Sequence, residues 1–147
     1  MATRVLVAYD FSDCADRALE WAVELAHARG DRLTLLTVVP AIAHIPVATL
    51  PIVMGVEPAT DERLSAEAQL RLLADTRCPE ASVEAVVGAS EADTIVERAD
   101  ALDADLIVVG THGRGALGRV VLGSVATKVV QHAHCPVVVV RRKTEHR

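Results

Sequence analysis

The sequence predicts an α/β protein, an open doubly wound parallel sheet of five strands with helices on both faces, Rossmann-like in build. Three observations lead there. Short β-branched apolar runs alternate with helical stretches from end to end, five runs are strand-sized, and a helical stretch separates each from the next. Parallel neighbours need long crossovers whose helices lie over the sheet, so the alternation implies a sheet covered on both sides.

The first apolar run is Arg4 to Asp10. After it, Cys14 to Arg29 repeats Ala15, Ala18, Leu19, Ala22, Val23, Leu25 and Ala26 at helical spacing and closes on Gly30, a C-cap residue. The second unit is a strand from Arg32 to Val39, a linker, and a helix from about Asp61 to Thr76 stopped by Cys78-Pro79. The third is Ser82 to Val87, then a helix opened by Ser90 with Asp93 three residues on, as in a capping box. The fourth is Ala104 to Val109, a glycine-rich loop, and a helix from Ser124 to about His132; Pro136 then starts the last strand, Val137 to Val140. The stretch from Pro40 to Pro58, with Pro46 and Pro51 inside it, fits no element and is longer than an ordinary βα connection.

With 147 residues, the expectation is one domain spanning residues 1–147. Fifteen Lys and Arg against 20 Asp and Glu leave a net charge of -5, which disfavours a broad electrostatic grip on nucleic acid. Hydrophobic residues make up 51% of the chain, yet Phe, Trp and Tyr occur once each. The core must therefore be aliphatic, and no stacking platform for single strands exists. No apolar run is long enough to cross a membrane, and the amino terminus lacks a signal-peptide pattern, so the expected location is the cytoplasm. Cys14, Cys78 and Cys135 are odd in number and widely spaced, which fits reduced thiols rather than a disulfide framework or a zinc site.

Chemistry concentrates after the fourth strand. Gly110 and Gly113 let the backbone turn off a strand end, and nine residues later Gly123-Ser124 opens a helix whose N–H groups point at whatever lies above it. This is an anion cradle, with phosphate held by the Gly113 turn, the Gly123-Ser124-Val125 helix start and the Ser124 hydroxyl. Arg114 lies within reach of a phosphate placed there. Asp10 ends the first strand as Gly110 ends the fourth, so both belong to the carboxyl rim where open α/β sheets bind ligands. Gly113, Gly115 and Gly118 also spell G-x-G-x-x-G, but the acidic residue expected about 20 positions on is replaced by Pro136 and the valines after it. Gly118-x4-Gly123 is followed by Ser124 and not Lys, so a Walker A loop fails as well.

The spacing G-x2-G-x9-G-S, followed by Val125 and Ala126, closely resembles the nucleotide-binding signature of the ATP-binding universal stress proteins. The likeness covers essentially the whole chain, including VLVAYDFSDCADRALEWAVELA, DLIVVGTHGRGALGRVVLGSVATKVVQHAHCPVVVVR and the order of elements between them. It implies a strand order of 3-2-1-4-5 and ATP as ligand, with Mg held largely by the nucleotide's own phosphates. It further implies Asp10 at the adenosine end, Val38 touching adenine through its backbone, and Gly110, Gly113, Gly123, Ser124 and Val125 along the ribose and phosphates. In that order Val137 to Val140 lies at a sheet edge, and four consecutive valines without Lys or Pro call for cover. A homodimer pairing that strand with its own copy supplies it, as the resemblance also implies.

Other candidates have plainer roles. Asp13 and Asp16 complement the dipole of the first helix, His132 and His134 that of the fourth, and Cys14 is a small packing group. His112 is a loop histidine. With no catalytic residue and no metal site assigned, the sequence points to a cytosolic ATP-binding stress-response regulator; the alternative is a slow ATPase or an adenylyl-transfer enzyme of related architecture.

Overall fold

A computed structural model describes residues 2–41, 58–112 and 122–141. Gly113, Arg114 and nearly all of the Pro40 to Pro58 linker lie outside the described residues. The elements run β1 (Arg4–Ala8), α1 (Asp13–Arg29), β2 (Arg32–Pro40), α2 (Pro58–Arg77), β3 (Ser82–Gly88), α3 (Glu91–Ala101), β4 (Leu106–Gly110), α4 (Ser124–His132) and β5 (Val137–Val140). Every strand pairing is parallel and the sheet order is β3-β2-β1-β4-β5, as expected.

Alternation along the strands sets the two layers. Val5 and Val7 of β1 pack with Ala15, Ala18, Leu19 and Ala22 of α1 and with Leu70 and Ala74 of α2. Leu6 points the other way, into a second cluster with Leu36, Ile107, Ala92 and Ile95 of α3, and Val129 of α4. Thus α1 and α2 cover one face, α3 and α4 the other. Small alanines on α1 and α3 let these helices lie close to the branched side chains of the strands.

Two helix ends match their sequence signals, Gly30 after α1 and Ser90 before α3, and a third is capped by Ser12. The Ser12 side chain caps α1 by accepting from the Ala15 amide, and Gly30 closes it at φ 71°, the left-handed conformation that glycine adopts without penalty. Ser90 likewise caps α3 by accepting from the Asp93 amide. Other boundaries shift for identifiable reasons. β1 stops at Ala8 rather than Asp10, because Phe11 turns the chain at φ 62° and the Asp10 carboxylate accepts from the Ser12 amide at 3.0 Å. β4 begins at Leu106 rather than Ala104, whose amide is tied back to the Ala99 carbonyl at 2.8 Å. α2 starts at Pro58, before Asp61, since proline's fixed φ suits a first helical turn.

The amino-terminal ends of the strands are clamped. Arg4 and Asp105 exchange backbone and carboxylate hydrogen bonds at 2.8 Å, and the Arg4 side chain also reaches Asp103 at 3.4 Å. Beside them the buried Asp31 accepts from the Thr3 amide at 2.9 Å and faces Arg29 at 3.2 Å. At the sheet's β3 edge, Glu84 is held by the Arg98 guanidinium at 2.9 and 3.0 Å.

Candidate ligand site at the carboxyl rim

At the opposite end the strands open onto a cavity of about 930 Å³. Its floor is the end of β1, β2 and β4, contributed by Ala8, Thr37, Val38, Val109 and Gly110. One wall is the start of α4 with Ser124, Val125 and Ala126, and the opposite wall is the first half of α2. Asp10, Phe11 and Glu91 line the space between. Six of the eight positions singled out from the sequence, Asp10, Val38, Gly110, Gly123, Ser124 and Val125, therefore share one cavity. The other two, Gly113 and Arg114, are outside the described residues.

The glycines act differently from a simple cradle. A Cβ on Gly110 would lie 2.9 Å from the Cys14 backbone carbon and carbonyl oxygen, so this position lets α1 seat against the end of β4. Gly123 has φ -62°, open to any residue, but a Cβ there would sit 2.8 Å from the Thr111 carbonyl oxygen. Its amide donates to that same oxygen at 2.7 Å. The expectation that the Gly123 amide faces the ligand is therefore corrected, since that donor is already used. The turn it closes aims the amides of Ser124, Val125 and Ala126, for which no acceptor exists among the described residues, at the cavity. With the helix dipole behind them they suit an anion.

Carboxylates surround the rest. Asp10, Asp61, Glu62 and Glu91 line the cavity, and among the described lining residues none is Lys or Arg. Asp10 turns one oxygen toward Ser12, accepting from its amide and its hydroxyl. Glu91 keeps surface open to solvent, yet the surrounding wall, and then the nearby Asp10 carboxylate, push its carboxyl above the ordinary range. Neither Glu91 nor the α2 face stands out in the sequence, because solvent-facing charges at helical spacing look the same whether or not a cavity adjoins them. Thr37 and Thr111 were likewise unmarked; both are buried and line the cavity. Among the described residues no group of three His, Cys, Asp or Glu is placed so as to hold a metal ion.

Asp16 lies in the first turn of α1, as expected at the helix dipole, and has a second role as well. It accepts from the Tyr9 hydroxyl and from Arg77 at 3.1 Å, joining β1, α1 and α2. Cys14 packs as expected, its Sγ 3.8 Å from the Thr111 hydroxyl. Burial pushes the Cys78 and Cys135 thiols up, away from the reactive thiolate form. Among the described residues no helix is long and apolar enough to cross a membrane.

A parallel sheet wound in both directions, with a cavity at its reversal point and helix amides at that cavity, defines a doubly wound α/β protein whose rim cavity suits a ligand. The chain belongs to the universal stress protein family, whose profile matches residues 1–141. A universal stress protein of Thermus aquaticus is 38% identical over 146 residues, covering 96% of this chain and 100% of that one. A universal stress protein solved in complex with cAMP is 26% identical, with TM-score 0.65 over 95% of this chain and 97% of the other. The universal stress protein of Archaeoglobus fulgidus in complex with dAMP is also 26% identical, with TM-score 0.63 and the same coverage.

Proposed function

We propose that this universal stress protein is a cytoplasmic regulator that binds an adenine nucleotide, ATP with Mg, in the rim cavity, and that occupancy changes its conformation or its choice of partner. The observation that carries the reading is the set of α4 amides at Ser124, Val125 and Ala126 opening onto one cavity with Asp10 and Val38. Amides of this kind suit a phosphate, while the apolar floor suits a base. Similar proteins solved with cAMP and dAMP support an adenine nucleotide of some kind. ATP brings more negative charge into a cavity lined by four carboxylates, so Mg travelling on its phosphates offsets the repulsion. Gly113 and Arg114 complete the phosphate end in this reading. The functional unit is one domain over residues 1–147, paired into a homodimer through Val137 to Val140.

The test is calorimetric titration of the purified protein with ATP, ADP and AMP, each with and without Mg. Saturable one-site binding, tightest for ATP with Mg, is the expected result. Absence of binding by every adenine nucleotide at millimolar concentration overturns the reading.

A further inference from the structure

The helix α2 has two unlike halves. From Leu70 onward its inward positions are core: Leu70 and Ala74 are fully buried, and Leu73 packs against them. Before Leu70 the same helix puts Asp61, Ser65 and Gln69, spaced by four, on the cavity wall, with Ala66 beside them. Asp61, Ser65 and Gln69 are exposed, and among the described residues no other helix presents a polar face of this length to the cavity.

The sheet order fixes what that face meets. α4 follows β4, Asp10 follows β1, Val38 lies on β2, and α2 packs over β2 and β3. The cavity therefore runs from the α4 amides past Asp10 to α2. A nucleotide whose phosphate rests on those amides extends its far end, the base, toward α2.

We propose that the amino-terminal half of α2 reads the base, with Gln69 as the specificity-determining side chain and Ser65 positioning it. The inference rests on the nucleotide reading above. The Gln69 amide carries a donor and an acceptor side by side, and such an amide pairs with the adjacent amino group and ring nitrogen of adenine. The corresponding edge of guanine offers two acceptors and leaves the amide oxygen without a donor. Gln69 now donates to the Ser65 hydroxyl at 3.4 Å, a long bond that is easily exchanged for a ligand. Binding across this wall also ties down the half of α2 that lacks core contacts.

The experiment is calorimetric titration of wild-type protein and Gln69→Leu with AMP and with GMP, read beside hydrogen exchange of the wild type with and without AMP. Wild type should prefer AMP; Gln69→Leu should weaken AMP about tenfold and leave GMP unchanged, so that the preference collapses. Melting temperature and helix content should not move, because Gln69 is exposed. AMP should slow exchange across residues 61–69 of the wild type and leave 70–77 unaffected, a readout that needs no variant. Wild-type binding with an unchanged AMP-to-GMP ratio in Gln69→Leu, or with no protection of residues 61–69, overturns the role of α2. Should the wild type bind ATP with Mg but not AMP, the same comparison is read with ATP and GTP; failure to bind any adenine nucleotide overturns the nucleotide reading itself.

Discussion

The phenolic hydroxyl of Tyr9 donates to Oδ1 of Asp16, so the residue just past β1 is tied to the first turn of α1. Arg77 at the end of α2 donates to the same oxygen at 3.1 Å. Burial, reinforced by the Asp16 hydrogen bond, holds the Tyr9 phenol in its neutral form well above its usual range.

That raised value sets a pH window. The unfolded phenol ionises near pH ~10, whereas the folded one keeps its proton to higher pH. Its stabilising contribution is thus complete below pH ~10 and is lost as pH rises from there through the folded value. Tyr9 is the only tyrosine in the chain, so tyrosinate absorbance reports on it alone. The absorbance should rise only together with the loss of helical circular dichroism, and ionisation that precedes unfolding would refute the buried hydrogen bond. Tyr9→Phe should lower stability at neutral pH by about 1 kcal/mol in denaturant titrations.

Glu91 titrates with the opposite consequence. Its folded-state value is raised by burial and then by Asp10, so ionised Glu91 subtracts from stability. The penalty is absent below the unfolded value of ~4.3 and is complete once pH exceeds the folded value. Glu91→Gln should therefore melt higher than wild type at neutral pH, with the difference vanishing near pH ~4 in scanning calorimetry.

The anion site can be tested one amide at a time. A side chain at Gly123 would strike the Thr111 carbonyl at 2.8 Å and move the whole turn, which makes Gly123→Val a poor probe. Ser124→Pro is cleaner. Proline is favoured at a first helical position, and the Gly123 backbone at φ -62° and ψ 160° already suits a following proline. The variant loses one amide and one hydroxyl donor while α4 persists. We expect about a tenfold or greater loss of nucleotide affinity with an unchanged circular dichroism spectrum, against a smaller loss for Ser124→Ala.

The last prediction concerns β5, which lies at the sheet edge with all four valines half-buried. Val138→Lys should convert a dimer to monomer or to misfolded material in light scattering. A wild type that stays monomeric at tens of micromolar would refute the proposed pairing.

Much of this arrangement was legible in the chain because its signals are local. Alternating valines, Ser90 before one helix and Gly30 after another each act within a few residues, and α4 and β5 emerge with their expected bounds. The roles of Gly110 and Gly123 were harder to read, since each is set by a backbone neighbour, Cys14 or Thr111, that the spacing of glycines does not reveal. Phe11 at φ 62° gave no warning either, because a left-handed aromatic residue carries no sequence signature. Cavity-facing residues of α2 were illegible for a different reason. Hydropathy separates core from water, and a polar residue beside a ligand cavity looks like one beside solvent.

The clamp formed by Arg4, Asp31, Asp103 and Asp105 lies at one pole of the sheet, and every group assigned to ligand lies at the other. Substitutions at the exposed α2 positions of the rim consequently leave the strand-fastening contacts untouched, and the cost of altering specificity there falls on the cavity alone. Such a scaffold can diversify its ligand through mutation without first acquiring stabilising changes, and for a protein engineer Asp61, Ser65 and Gln69 are the positions at which to build a library.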